Sequence, residues 1–89
     1  MIKVKKLILD ILKPHQPNAL EFASALAEKG NEIQVTLIVA AVDEKTESVE
    51  VKIEGNDINF ELLTERIKEL GASIHSIDEV QVINTSLSE

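Results

Sequence analysis

The sequence predicts one small α+β domain whose elements follow the order β-α-β-β-α-β. Four short runs rich in Val, Ile and Leu are separated by polar turns, as expected of strands. Two further segments carry apolar residues at helical spacing, each behind an Asn that can cap a helix. The 89 residues suit a single domain. We expect residues 1–85 to form it and residues 86–89 to form a polar C-terminal tail.

The first half of the chain predicts a strand, a capped helix and a second strand. Strand one is the apolar run at residues 6–12, which only Asp10 interrupts. Helix one covers residues 18–29, because Asn18 with Glu21 forms a variant of the capping box. Gly30 is a suitable left-handed residue after that helix. Strand two then covers residues 33–42.

The second half repeats the pattern of strand, capped helix and strand. Strand three, at residues 49–54, alternates apolar and charged side chains, which is typical of a half-buried strand. Helix two follows Asn59 as its N-cap and ends at Gly71. Strand four covers residues 72–83, and its alternation slips at residues 76–79, which predicts a β-bulge or a strand end that does not fully pair.

Right-handed crossovers join these elements into a ferredoxin-like βαββαβ sandwich. We expect a four-stranded antiparallel sheet in the order 4-1-3-2, with both helices on one face and strand two at an edge. We also expect strands one and three to run parallel. That arrangement would bring Asp10, Glu54 and the start of strand four to one end of the sheet.

Composition excludes several classes of function. Nine basic residues against sixteen acidic ones give a net charge of −7, and the chain has two Phe but no Trp or Tyr, so we expect no nucleic-acid partner. The absence of cysteine excludes disulfides, thiolate metal sites and cysteine nucleophiles. No apolar run reaches about 18 residues and no signal peptide is recognisable, so we expect a cytoplasmic protein without a membrane partner.

An acidic and histidine-containing cluster is the candidate chemical site. The candidate metal ligands are Asp10, Glu54, Asp78, His15 and His75. Carboxylates suit Ca²⁺ or Mg²⁺, whereas the histidines would favour a borderline metal. The alternative is a solvated acidic rim that pairs with Lys13 or Lys52. No nucleophile and base are placed to react together, so we predict no catalytic residues and no enzyme activity.

Strand two is the candidate interface. It is long, apolar on both faces and free of Pro, which makes an uncovered edge prone to self-association. The interface residues would be Ile38, Val39, Ala40 and Val42. The open sheet face would add Ile8 and Leu12, together with either the 38-40-42 set or the 37-39-41 set, depending on hairpin register. The strand-two edge and the open sheet face are two separate apolar patches, and a symmetric dimer would cover only one of them. We therefore predict a homo-oligomer larger than a dimer.

Three segments resemble one known family. Residues 7–17 (LILDILKPHQP), 51–58 (VKIEGNDI) and 71–80 (GASIHSIDEV) are similar to signatures of the archaeal family called domain of unknown function 211. The resemblance spans nearly the whole chain. It implies a ferredoxin-like fold, a ring-like homo-oligomer and no established activity.

Together these observations predict a non-enzymatic, homo-oligomeric assembly module. Clefts between its subunits, lined by acidic groups, would bind a small ligand or a cation. The alternative is a divalent-metal-binding protein built around Asp10, with Ca²⁺ or Mg²⁺ as its ion. No other cofactor is expected.

Overall fold

The computed structural model describes residues 1–86, which form one antiparallel sheet covered by two helices on a single face. The strands are β1 (Ile2–Pro14), β2 (Gln34–Val42), β3 (Thr46–Glu54) and β4 (Ser73–Asn84), and the helices are α1 (Ala19–Ala27) and α2 (Phe60–Glu69). The spatial order β2-β3-β1-β4 confirms the predicted ferredoxin-like sandwich. Of the tail predicted at residues 86–89, only Ser86 lies within the described residues.

The direction of one strand differs from expectation. β1 and β3 are antiparallel, as are β3 and β2, and β4 is antiparallel to β1. The prediction that β1 and β3 run parallel is therefore wrong. The crossover through α1 makes β1 and β2 parallel, and the hairpin then reverses the chain, so β3 must oppose both.

Polar caps fix the start of each helix as predicted. Asn18 Oδ1 accepts a hydrogen bond from Glu21 N at 2.9 Å, while Glu21 Oε1 accepts one from Asn18 N at 3.1 Å, which completes the capping box. Asn59 Oδ1 accepts from Leu62 N at 3.1 Å at the start of α2. Gly71 follows α2 with φ +81°, the left-handed conformation that glycine adopts at least cost.

The end of α1 differs from the prediction. The helix stops at Ala27, and the left-handed residue of the following loop is Glu32, with φ 57°, rather than Gly30. Gly30 serves a different purpose: a Cβ added there would lie 2.3 Å from Ile33 Cδ1. The glycine is needed for this close approach and not for a left-handed turn.

The hydrophobic core lies between the sheet and the helices. Its fully enclosed apolar members are Leu9, Ile11, Val49, Val51 and Ile53 from the sheet, with Phe22, Leu26, Leu63 and Ile67 from the helices. Each such side chain stabilises the fold by about 1.5–3 kcal/mol relative to an exposed one. The core leaves the opposite sheet face free of helices.

The helices cover only part of the sheet. β1 has 13 residues and β4 has 12, against 9 and 10 in the helices. At 3.4 Å per strand residue and 1.5 Å per helix residue, the strands reach roughly 40 Å and the helices roughly 15 Å. The molecule is accordingly elongated, at 49 × 22 × 17 Å. Neither helix of the described chain is long and apolar enough to cross a membrane.

Candidate functional site

The predicted acidic cluster is divided by the strand directions. In the β1–β3 ladder, Glu54 lies opposite Lys6, whereas Asp10 lies opposite Glu50. Four residues of extended strand separate the two positions, roughly 14 Å. The expectation that Asp10 and Glu54 meet is therefore wrong, since it rested on parallel strands. The carboxylate that faces Asp10 across the ladder belongs to Glu50, which the sequence analysis did not single out.

Asp10 and His75 do come together on the open face of the sheet. His75 Nδ1 lies 3.3 Å from Asp10 Oδ2. The β1–β4 ladder skips His75, because its neighbours in β4 pair with Asp10 and the next residue of β1. Such a bulge redirects a side chain out of the regular alternation. Both side chains are exposed to solvent: Asp10 is 40% exposed and His75 is 77% exposed.

The Asp10–His75 pair lines a shallow cavity of about 150 Å³ with Leu12 and Ser48. Within residues 1–86, no three His, Asp or Glu side chains are grouped closely enough to hold a metal ion. At this cavity one chain offers one carboxylate and one imidazole. A complete coordination shell would need further ligands, either water or a second chain.

Asp78 occupies a second bulge in β4. The ladder passes from Glu79 to Ile77 and leaves Asp78 without a partner position in β1. Its Oδ1 accepts a hydrogen bond from Ser76 Oγ at 2.7 Å. This confirms the irregularity predicted at residues 76–79. Among the described residues, no hydrogen bond or ion pair joins Asp78 to Asp10.

His15 lies on the other side of the sheet, in a cluster with Glu47 and Lys13. His15 Nδ1 is 3.1 Å from Glu47 Oε2, and His15 Nε2 is 3.0 Å from the main-chain oxygen of Glu44. Lys13 Nζ donates to Glu47 Oε1 at 3.1 Å and to the main-chain oxygen of Pro14 at 2.8 Å. His15 is thus separated from the Asp10–His75 pair. We call this group the Lys13–His15–Glu47 cluster.

These contacts shift the titration of two groups in the cluster. The hydrogen bond that Glu47 accepts from His15, followed by the one that the Glu44 carbonyl accepts, raises the pKa of His15 above its ordinary value of 6.5. The hydrogen bonds from His15 and then Lys13 lower the pKa of Glu47 below its ordinary value of 4.5. Both shifts favour the charged forms of the two groups.

Lys13 is a buried member of this cluster, which the sequence analysis did not predict. Its side chain is completely buried, and its Nζ lies 6.0 Å from the centre of the Phe22 ring. The signal was present, because Lys13 continues the every-second-residue pattern of Leu9 and Ile11 toward the helices. A lysine is rarely buried without a partner, and the partner, Glu47, lies directly opposite it on β3, a neighbouring strand that is distant only in sequence.

The open face is more polar than expected. Asp10, Lys6, Glu50 and Lys52 point away from the buried positions of β1 and β3. Lys6 Nζ forms an ion pair with Glu79 Oε2 at 2.7 Å, and this hydrogen bond raises the pKa of Lys6. The face is a mosaic of charged and apolar side chains rather than a continuous apolar patch.

The candidate interface residues lie on an uncovered edge. Ile38 is on the open face opposite Glu50, and Val39 is on the helix side opposite Val49. A register shift after Val39 leaves Ala40 unpaired and puts Val42 on the helix side. Neither predicted register for the open face is therefore correct, because the bulge places Ile38 and Ala41 there. All four candidates, Ile38, Val39, Ala40 and Val42, are exposed.

The described strands leave a second uncovered edge at β4. Its helix side presents Ile77, Val80 and Val82, which are 48%, 52% and 50% exposed. Their partners in β1 are Leu9, Leu7 and Val4, which belong to or pack on the core. The short helices do not reach over this part of β4. Sequence reasoning missed this strip, because burial of a β-strand face depends on how far the helices extend.

Comparison with known proteins places the chain in a family. The model of the family described as Uncharacterized ArCR, domain of unknown function 211, matches residues 5–87. The chain belongs to this family. An uncharacterized protein of Methanocaldococcus jannaschii is 44% identical over 77 residues, which are 86% of this chain and 79% of that protein. The resemblance noted at residues 7–17, 51–58 and 71–80 is thereby confirmed.

The family description names no reaction, ligand or partner. For this member of domain of unknown function 211, the chemistry must be argued from its own residues. The ring-like assembly and the metal site that the sequence suggested stay predictions. The structure offers two features for them: a pair of exposed edge strands and the Asp10–His75 pair.

Proposed function

We propose that the protein is a cytoplasmic, non-enzymatic assembly module that forms a homo-oligomer larger than a dimer. The observation that carries the proposal is the presence of two different uncovered edges, β2 and β4, each bearing exposed aliphatic side chains. Monomeric proteins protect such edges with charges, prolines or covering segments. β2 has no charged residue and no proline over its 9 residues.

Strand directions favour pairing of β2 from one copy with β4 from the next. β2 runs with β1 and β4 runs against it, so β4 of a second copy placed beside β2 in the same orientation is antiparallel to it. The sheet then continues from copy to copy with its helices on one face. Main-chain hydrogen bonds would supply affinity at this junction.

Side chains at the two edges are compatible with that junction. Val39 and Val42 lie on the helix side of β2, as Val80 and Val82 do on β4. Joining the edges would place these four exposed valines along one continuous face. A symmetric β2–β2 dimer would instead leave the β4 strip in water. Contacts between unlike edges generate rings or filaments, and the twist of the sheet turns the array toward closure.

Light scattering coupled to size exclusion tests the assembly at micromolar concentration. The wild type is expected to exceed the mass of a dimer, whereas a monomer contradicts the proposal. The double variant Val39→Lys, Val42→Lys blocks the β2 edge, and Val80→Lys, Val82→Lys blocks the β4 edge. Each should reduce the assembly. Leu20→Lys, on the exposed side of α1 at 75% exposure, is the matched control.

Mixing the two edge variants separates unlike-edge pairing from a symmetric dimer. The β2 variant keeps an intact β4 edge and the β4 variant keeps an intact β2 edge. Their mixture should yield one-to-one heterodimers that grow no further. If the β4 variant alone still forms dimers, the contact is β2 against β2 and the unlike-edge arrangement is wrong. Circular dichroism establishes that each variant is folded.

Divalent-metal binding is the second candidate, favoured by the 3.3 Å approach of His75 to Asp10 beside a small cavity. An oxygen and an imidazole nitrogen from one chain could be completed by acidic groups of another chain in the assembly. Such a site would lie in a cleft between subunits. A small ligand with a cationic group would suit the same acidic surroundings.

A thermal-shift measurement tests the metal candidate. An ion that binds the native state raises the melting temperature by mass action. Asp10→Asn should abolish a rise produced by millimolar Ca²⁺, Mg²⁺ or Mn²⁺, while Glu54→Gln, remote from the pair, should retain it. Absence of any shift in the wild type ends the metal candidate. A shift that survives Asp10→Asn places the ion elsewhere, at the Asp43–Glu44 loop or the Asp57 turn.

A further inference from the structure

His15 joins two segments that are distant in sequence. Its ring lies between the turn after β1 and the tip of the β2–β3 hairpin, with Nδ1 3.1 Å from Glu47 Oε2 and Nε2 3.0 Å from Glu44 O. A carbonyl oxygen only accepts hydrogen bonds, and so does an ionised carboxylate. Neutral imidazole has one donor and one acceptor, so it can satisfy only one of these contacts. The protonated ring donates to both.

The charged groups around His15 are consistent with the protonated ring. Lys13, from β1, donates to the second oxygen of Glu47 at 3.1 Å, so each carboxylate oxygen receives one donor. The hairpin tip presents main-chain oxygens to the ring, from Glu44 and, more weakly, Asp43. α1 contributes the uncharged ring of Phe22 near Lys13. Glu47 is thus the one anion shared by two cations.

We propose that protonated His15 is a pH-dependent latch that holds the β2–β3 hairpin tip against the turn after β1. The latch orders the end of β2, because Val42 is the last residue of that strand and the Asp43 N–H donates to Thr46 O at 2.8 Å across the tip. The regulatory half of this inference, control of the β2 edge, rests on the proposed assembly function. The latch itself does not.

The pH window follows from the two titrating partners. Because the pKa of His15 is raised, its stabilisation is complete below 6.5 and is lost as the pH rises through the raised value. Because the pKa of Glu47 is lowered, its stabilisation is complete above 4.5 and is lost as the pH falls through the lowered value. The latch is therefore fully closed between 4.5 and 6.5 and opens on the alkaline side as His15 loses its proton.

Amide hydrogen exchange measures the latch directly. The probe is the Asp43 N–H, with rates corrected for the intrinsic pH dependence of exchange, at pH 6 and pH 8. We expect the wild-type protection to fall about three- to tenfold at pH 8, the size of one charge-assisted hydrogen bond that is partly open to solvent. His15→Gln should lack this fall, and His75→Gln should retain it. Equal wild-type protection at both pH values, or an equal fall in His15→Gln, overturns the latch.

Sedimentation velocity of the wild type at the same two pH values tests the regulatory half. We expect less assembly at pH 8 than at pH 6. If protection at Asp43 changes but assembly is identical at both pH values, the regulatory half is wrong. A wild type that is monomeric at both pH values while protection changes contradicts the assembly function and leaves the latch standing. Assembly without any change in protection contradicts the latch alone.

Discussion

The two histidines of this protein each approach a carboxylate, yet their surroundings differ. His15 lies 3.1 Å from Glu47 Oε2, and His75 lies 3.3 Å from Asp10 Oδ2. Glu47 is 17% exposed and is also held by a completely buried Lys13. Asp10 and His75 are both open to solvent, and the residue opposite Asp10 in β3 is another acid, Glu50.

The difference shows that a short histidine–carboxylate distance does not by itself tell whether the contact stabilises the fold. Where the carboxylate is mostly buried and both of its oxygens have donors, as in Glu47, the contact fixes two segments of chain to each other even though His15 itself is 39% exposed. Where the pair is exposed, water competes for the same groups and the contact adds little to stability. The cluster anchored by buried Lys13 can therefore act as a latch, whereas the exposed Asp10–His75 pair can bind another group.

Among the variants that test this contrast, Lys13→Met should reduce the stability of the protein most. It removes the cation that supports Glu47 from a fully buried position, so we expect a loss of about 2–3 kcal/mol in the free energy of unfolding. Urea denaturation at fixed protein concentration measures it. Lys6→Met is the matched control, because Lys6 is also paired with a glutamate but is 28% exposed, and it should destabilise the protein much less than Lys13→Met. Equal losses for the two variants would contradict the contrast.

Glu47→Gln should have the next largest effect and should change the pH dependence. The amide cannot stabilise two cations, so the variant melts at a lower temperature than the wild type at pH 6. The wild type should lose stability as the pH rises from 6.5 to 8, while Glu47→Gln loses less over that interval, because the variant lacks the largest cause of the raised pKa of His15. Thermal melts at several pH values measure this. Glu50→Gln, the control, should show the same change of melting temperature with pH as the wild type. If Glu47→Gln also shows that same change, the assignment of the pH dependence to the His15–Glu47 contact is wrong.

Asp10→Asn and His75→Gln should have the smallest effects without added metal. Exposed ion pairs contribute about 0–1 kcal/mol, and loss of the Asp10 charge also removes its repulsion with Glu50. We expect both variants within about 0.5 kcal/mol of the wild type in urea denaturation. A loss as large as that of Lys13→Met would show that the Asp10–His75 pair is structural as well.

Much of the fold followed from local patterns. The order of elements, the Asn18 capping box, the Asn59 cap and the end of α2 at Gly71 were all predictable, because each depends on residues within one turn or strand of each other. The bulge in β4 was also visible as a slip in its alternation. The left-handed position near Gly30 was misplaced, because a glycine can serve close packing as well as a turn.

The candidate site was less predictable, because it depends on contacts between strands. Which acid faces Asp10 was decided by strand direction and register, and the answer was Glu50 rather than Glu54. The approach of His75 to Asp10 was decided by a bulge that single-residue patterns locate only roughly.

The sequence by itself determined the strand and helix order, the helix starts, the core periodicity and the family of this protein. Only the tertiary structure decided that Lys13 is enclosed, that His15 spans the hairpin tip and that the helices leave the far end of β4 uncovered. The physical reason is the range of the interactions. Periodicity and capping act over a few residues, whereas burial of a charge and coverage of a strand depend on segments that meet only after the chain has folded.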